Sequence, residues 1–252
     1  MYKKNLLDII TITKDDFEGV VQTIKSTKSL RCIHNVKQII IDSSCAATQN
    51  KLTNFIKKEE NVEYFQQKPV GISAAFNLGL SKSTSKWIWF LNGRDEVKQK
   101  IEFETIIHLI ERTSAESIIF QIEHMDTKIV GQHPPVWSMW PPVSLWIPHP
   151  AILIKRSLFE KYGIFDTNYK IAMDTDLWFR FFANNVKVDV ISIPLTLYDE
   201  KGISSTRSRE SAREVSKIFR KNIFKMIKLL LKQILIVIKA FVIFNKIERG
   251  KL

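Results

Sequence analysis

The sequence predicts an α/β protein built on a mostly parallel sheet with helices on both faces. Three observations carry that expectation. Apolar, β-branched runs of strand length alternate with segments of helical period from Leu6 to Leu91. The runs are apolar throughout, as strands covered on both faces are. Polar or acidic residues close them, at Asp42 and across Asn92–Asp95, where open α/β sheets bind their ligands.

Leu6–Thr13 reads as the first strand. The opening MYKKNLLDIITIT has too short an apolar run, broken by Asp8, to be a signal peptide. Asp15–Ser26 follows, with Phe17, Val20, Val21 and Ile24 at helical spacing and two acids at its start. Val36–Ile41 is a second buried strand ending in Asp42, and Gln49–Glu59 a helix. Val62–Phe65 is a short strand, Ile72–Ser81 a helix, and Lys86–Leu91 a strand ending at Asn92. The second half is less regular. Six of the eight prolines lie between Pro134 and Pro150, together with Trp137, Trp140 and Trp146. Proline withholds ladder donors, so this stretch is expected to be a loop or lid. Its tryptophans suit either stacking on sugar rings or plain packing. Ser157–Tyr162 and Thr175–Phe182 read as short helices flanking Gly163-Ile164-Phe165-Asp166.

The 252 residues, 45% hydrophobic and 25% charged, suit one sizeable core plus an appendage. Cys32 and Cys45 form no CxxC pair, and the five histidines show no zinc spacing. A disulfide framework and a zinc site are therefore not expected, and a reducing compartment is. The net charge of +12 is concentrated at the end: residues 215–252 carry ten Lys or Arg against Glu248 alone, nine of the twelve net charges. Lysines 217, 221, 225, 228, 232, 239 and 246 fall within a stripe of roughly 80° on a helix turning about 100° per residue, beside a broad apolar face. Such a helix suits an anionic membrane surface, and Lys228, Lys232 and Lys239 make a transmembrane span costly. Packing on the body or on a second copy is the alternative. Nucleic acid is not the expected partner, because it calls for basic residues interleaved with aromatics along a groove.

No GxGxxG and no GxxxxGK[ST] occurs, so the candidate site residues are carboxylates at strand ends. Ile9-Ile10-Thr11-Ile12-Thr13 leads to Phe17-Glu18-Gly19, and Ile39-Ile40-Ile41 into Asp42-Ser43-Ser44. Gly71-Ile72-Ser73-Ala74-Ala75-Phe76-Asn77-Leu78-Gly79 and Phe90-Leu91-Asn92-Gly93-Arg94-Asp95 follow. Then come His149, Arg156, Phe159, Gly163 and Asp166, the stretch Asp174-Thr175-Asp176-Leu177-Trp178-Phe179-Arg180, and Gly202-Ile203-Ser204. In this order, over about residues 6 to 206, the motifs resemble family 2 glycosyltransferases, most of all bacterial surface-polysaccharide members (capsule or O-antigen).

The resemblance implies a GT-A domain over residues 1–206 and a basic helical tail over 207–252. It implies an inverting transferase that moves a sugar from a nucleotide-diphosphate donor to a glycan or lipid-linked acceptor. The place it implies is cytoplasmic, peripheral on the inner face of the membrane, with residues 215–249 on anionic lipid. Asp174 is then the general base, with Asp176 two residues away as its rival. Thr11, Thr13, Asp42, Gly71, Asn77, Asn92 and Arg94 would line the nucleotide-sugar pocket. Asp95, with Asn92, would hold a divalent cation, Mn²⁺ or Mg²⁺. His149, Trp137 and Trp140 would meet acceptor or diphosphate. The chain departs from the pattern at Asn92 and Arg94, where the family has D-x-D, and at Ala46, Pro69 and Met173, where acids are common. Arg94 itself is suited to grip a phosphate. A non-catalytic GT-A module that binds a sugar nucleotide or a partner transferase is the second reading.

Overall fold

A computed structural model describes residues 6–33, 36–98, 103–131, 149–202 and 207–248. Strand β1 (Leu7–Thr13) lies between β2 (Val36–Asp42) and β4 (Trp87–Phe90), parallel to both, and β3 (Val62–Gln66) extends the sheet beyond β2. On the other side come β7 (Ile152–Lys155), β6 (Ser117–His124), β8 (Val188–Tyr198) and the two-residue β5 (Glu96–Val97). The order is β3-β2-β1-β4-β7-β6-β8-β5, with β7 antiparallel to both its neighbours. The expected α/β architecture is present: a mostly parallel GT-A sheet with helices on both faces.

The helices are α1 (Phe17–Ser26), α2 (Lys28–Ile33), α3 (Ala46–Ile56), α4 (Ile72–Lys82), α5 (Phe103–Arg112), α6 (Arg156–Tyr162) and α7 (Met173–Phe182). The last helix, Ser208–Glu248, runs 41 residues. Strand β4 shows how the sheet is buried. Successive side chains of a strand point to opposite faces, so Ile88 and Phe90 pack with α4, α6 and α7. Trp87 and Trp89 pack with the Phe103, Ile106, Ile107 and Ile110 face of α5. Helix α4 lies tight on β1 because residue 79 is glycine. A Cβ there would sit well inside van der Waals contact of Ile10 Cγ2.

Buried polar residues tie the chain together beneath the helices. Asp8, on β1, accepts from the Ser83 hydroxyl and the amides of Thr84 and Ser85, closing the turn between α4 and β4. Arg31, fully buried, donates to the carbonyls of Ile24 and Glu60 and pairs with Glu59.

The long loop expected between Pro134 and Pro150 falls mostly outside the described residues, and Trp137, Trp140 and Trp146 lie there. The end of that stretch is visible as a single 3-10 turn, His149–Ala151, entering β7.

Candidate active site

The carboxyl ends of β1, β2 and β4 share one edge of the sheet, because the Thr13↔Asp42 and Ile10↔Phe90 pairs put them in register. Asp42 closes β2 with its carboxylate fully committed. Oδ1 accepts from the Ser44 amide at 2.8 Å, and Oδ2 from the Tyr64 hydroxyl at 2.7 Å. Burial and this carboxylate push Tyr64 up to about 12. Thr11 is also spoken for: its hydroxyl accepts from Gln38 Nε2, while Gln38 Oε1 accepts from Thr27. Both Thr11 and Asp42 are fully buried. Thr13 is nearly so, with its hydroxyl 3.4 Å from the Asp16 carbonyl. The strand-end backbone is engaged as well, with the Thr13 and Asp42 carbonyls accepting from the Ser43 and Gln67 amides.

The loop after β4 carries the charged part of the site. Arg94 sits at φ 79°, a left-handed conformation that costs a non-glycine residue on the order of 1 kcal/mol or more. It is held there by its amide, which donates to the Gly19 carbonyl at 3.2 Å, and by its guanidinium, which donates from Nε to Asp16 Oδ2 at 2.6 Å. Asp16 also caps α1 by accepting from the Gly19 amide at 3.1 Å. A side chain at residue 19 would collide with both Asp16 and Arg94. A second acid, Asp199, stands 3.8 Å from Arg94 Nη1. The Arg94 side chain is about half exposed, which suits it to meet an anion.

Asp95, next along, is buried at 2% exposure. Its Oδ1 accepts from the Asp199 amide at 3.1 Å, a contact that follows from β5 pairing antiparallel with the end of β8. Burial, opposed by that amide and reinforced by the Asp199 charge, raises its carboxyl to about 8. Asp95 Oδ2 and Asn92 Oδ1 are both buried without a partner among the described residues. Two unsatisfied hard oxygens of this kind fit a small divalent cation. No group of three or more His, Cys, Asp or Glu side chains is placed to hold one among the described residues.

The two acids of α7 have different fates. Asp176 is buried and receives Arg180 Nε at 2.9 Å, one turn along. The same guanidinium donates to the carbonyls of Tyr162, Gly163 and Ile164. Asp176 therefore anchors the turn after α6. Asp174 lies in the first turn, partly buried, where it accepts from its neighbour Thr175 through Oδ1. Burial raises its carboxyl to about 6, although those local hydrogen bonds oppose the shift.

Helix α4 splints the sheet edge to the approach to α7. The Ser73 hydroxyl donates to the Tyr169 carbonyl at 2.8 Å. The Asn77 amide donates to the Phe165 carbonyl at 2.9 Å and accepts from the Phe165 amide at 3.0 Å. The resemblance gives Asn77 to the nucleotide, whereas in this structure both ends of its amide are used by backbone. Gly71, at φ 112°, opens α4 on the surface. His149 lies 5.3 Å from the Phe90 ring in a near-parallel stack, with Phe76 and Phe165 around it. Burial lowers it to about 4, so the ring is neutral at pH 7, and neither nitrogen has a partner among the described residues. A neutral imidazole can still donate one hydrogen bond.

Sequence reasoning missed Asp16, Asp199, Tyr64 and Gln38. Asp199 was invisible because the strand it ends, β8, was not read. Tyr64 and Gln38 meet Asp42 and Thr11 only through cross-strand pairing.

The model of the family described as Glycosyl transferase family 2 matches residues 8–181. An uncharacterized glycosyltransferase of Rickettsia bellii is 25% identical over 174 residues, which is 65% of this chain and 25% of that protein. One of Rickettsia conorii is 26% identical over 186 residues, 71% of this chain and 30% of that protein. One of Mycobacterium tuberculosis is 23% identical over 209 residues, 80% of this chain and 78% of that protein. This chain thus spans about a quarter to a third of the rickettsial relatives. Among solved structures, S. aureus TarS 1-349 in complex with UDP-GlcNAc superposes at a TM-score of 0.69 and 12% identity, over 87% of this chain and 66% of that one. The same protein in complex with UDP gives 0.63 and 12%, over 77% of this chain and 60% of that one. At such identity the likeness is one of fold.

Proposed function

We propose, since the chain belongs to glycosyl transferase family 2, that it transfers a sugar from a nucleotide-diphosphate donor to a glycan or lipid-linked acceptor with inversion, in bacterial surface-polysaccharide synthesis. The observation that carries the reading is the contrast within α7. Asp176 is locked to Arg180, while Asp174 is raised to about 6 by burial and, among the described residues, bonds locally to Thr175 and its own amide. A carboxylate near that value is ionised at neutral pH and still a competent proton acceptor.

In the proposed step Asp174 takes the proton of the acceptor hydroxyl. The freed oxygen pair attacks the sugar C1 from the face opposite the leaving group, and the C1–O bond breaks with its electrons going to the diphosphate. One displacement inverts the anomeric centre. The diphosphate would meet Arg94, whose bonds to Asp16 and Asp199 pre-orient its planar fork. Asp95 with Asn92 would hold a divalent cation, which when bound neutralises charge on the leaving diphosphate. The donor would lie along the carboxyl ends of β1 and β4, and His149 is sealed in the aromatic cluster beneath them. UDP and UDP-GlcNAc, the ligands named for TarS, are the first nucleotides to try.

The last helix supports a membrane-facing position. Phe224, Val237 and Phe241 are 85%, 65% and 66% exposed. No helix among the described residues is long and apolar enough to cross a membrane. The reading is therefore of a helix lying on anionic lipid at the inner face. Two of the stripe lysines face protein instead: Lys217 lies over Tyr169 and Lys221 is 4.0 Å from Asp166.

The test is donor binding and hydrolysis across a panel of nucleotide sugars, with and without Mn²⁺ or Mg²⁺, for the wild type and Asp174→Asn. Turnover of one donor, lost in the variant with donor affinity retained, supports the reading. Absence of nucleotide-sugar binding under every condition refutes the donor site.

A further inference from the structure

Helix α7 starts on a residue that cannot cap it. Ala172, at the N-cap position, has no side-chain acceptor, and within the helix Asp174 Oδ1 takes the Thr175 amide. The acceptor for the chain entering the helix comes from the last helix. Glu214 receives the amides of Lys170, Ile171 and Ala172, each at 2.9 Å. Burial raises this carboxyl, but the three amides more than offset that and hold it below the usual glutamate range. It is ionised at neutral pH and places a negative charge at the positive end of the α7 dipole. Its surroundings are built to keep it there. Ile218, at 1% exposure, joins Tyr169, Ala172 and Met173 in one core cluster. Lys217 covers the Tyr169 ring, and Lys221 approaches Asp166. Asp174 follows the clamped Ala172 by two positions.

We infer that Glu214 is a positioning residue for Asp174: by clamping, from the last helix, the three amides that lead into α7, it fixes where that carboxylate meets the acceptor. The inference rests on Asp174 being the base. The physical reason is leverage. Three amides released from one acceptor free the Lys170–Ala172 segment that leads into α7, and a shift of about 1 Å in a reacting group costs on the order of 10²-fold in rate.

The experiment compares Glu214→Ala and Glu214→Gln with the wild type and Asp174→Asn, all in the full chain. The first readout is a ¹³C titration of the Asp174 carboxyl, identified by its absence in Asp174→Asn, with hydrogen exchange at amides 170–172. In Glu214→Ala the titration midpoint should fall from about 6 toward the ordinary value of about 4 as water enters the loosened turn, and the three amides should exchange faster. Glu214→Gln keeps one acceptor oxygen and should lie between. The second readout is turnover of UDP-GlcNAc, or of whichever donor the panel identifies. The expected result for Glu214→Ala is a kcat lower by about 10- to 100-fold with donor KM unchanged within about twofold. A merely structural Glu214 would lower Tm and the yield of folded protein while leaving the Asp174 midpoint and the kcat per folded molecule unmoved. That result overturns the inference. Turnover lost in Asp174→Asn but intact in Glu214→Ala sinks the inference alone. Turnover that survives Asp174→Asn sinks the base reading and the inference together.

Discussion

Replacing Asp174 by Asn should stabilise the protein while abolishing turnover. The carboxyl is raised from 3.8 to about 6, chiefly by burial. A raised acid means that its ionised form is disfavoured in the folded state. The penalty is complete above about 6, where the native carboxylate is charged, and vanishes below 3.8, where both states are protonated. Roughly two units at about 1.4 kcal/mol each give about 3 kcal/mol. Partial contact with water trims this, so about 1–3 kcal/mol is expected at pH 8. Asn is nearly isosteric and keeps an oxygen for the Thr175 amide, so little packing is lost in exchange. Urea denaturation of both proteins at pH 8 and near pH 4, with equal m-values, isolates the effect. The expected result is a variant more stable at pH 8, with the difference shrinking toward zero at the lower pH. A variant less stable at pH 8, or an offset that is the same at both, would refute the reasoning that Asp174 is held charged against the preference of the fold.

The rate should carry the same signature: kcat/KM falls as pH drops through about 6, the value at which Asp174 takes up its proton, and a flat profile down to pH 5 would remove Asp174 from the role. Arg94→Ala should raise donor KM by about 10- to 100-fold, the worth of a charge-assisted contact, and should deepen any dependence on Mn²⁺. An unchanged KM for a diphosphate donor takes Arg94 out of the site. Asp176→Ala breaks the buried pair with Arg180 and should cost about 2–4 kcal/mol of stability, while the surviving folded protein keeps turnover; a dead but equally stable variant would reassign the base. Gly79→Ala forces a methyl against Ile10 and should cost about 1–3 kcal/mol, read as a lowered urea midpoint. Phe224→Asp with Phe241→Asp should abolish flotation with vesicles containing anionic lipid and leave donor hydrolysis in solution unchanged. Retained flotation would move the exposed face to a protein partner.

The left half of the sheet was legible because its strands are continuous apolar runs, each followed by a helix of clear period. Strand β1 and helix α4 were placed to within a residue at each end. The right half was not, and the reasons are local. Strand β7 is four residues long and antiparallel, wedged between β4 and β6, so it lacks the strand–helix alternation that marks the rest. Strand β8 contains Pro194 and shifts register against β6 near Gln121, which blurs its period. Helix α5 has a clean apolar face at Phe103, Ile106, Ile107 and Ile110, a helical period that the sequence itself carries. For the site, strand-end position pointed to Asp42, Asn92 and Asp95 but could not say which carboxylates stay free. That depends on contacts from distant strands, such as Tyr64 on Asp42 and Asp199 on Asp95.

Beyond Asn92 and Arg94, the acids missing from the family pattern fall into two kinds, and the difference bears on whether this is an enzyme or a binding module. Ala46 and Pro69 are exposed, where an acid would meet ligand or solvent and its loss alters recognition at most. Met173 is different: it is 6% exposed and packs into the core cluster beside α7. An apolar side chain there, in place of the Glu common in the family, puts no second negative charge beside Asp174. Burial is the main cause of the raised Asp174. The substitution is therefore compatible with the proposed role of Asp174 as proton acceptor. A module that only binds a sugar nucleotide has no use for a carboxylate kept at a cost in stability, since neutral substitutions at that position would be free to accumulate. Donor binding by a wild type that turns over nothing, with Asp174→Asn no more stable at pH 8, is the combination that would favour the module.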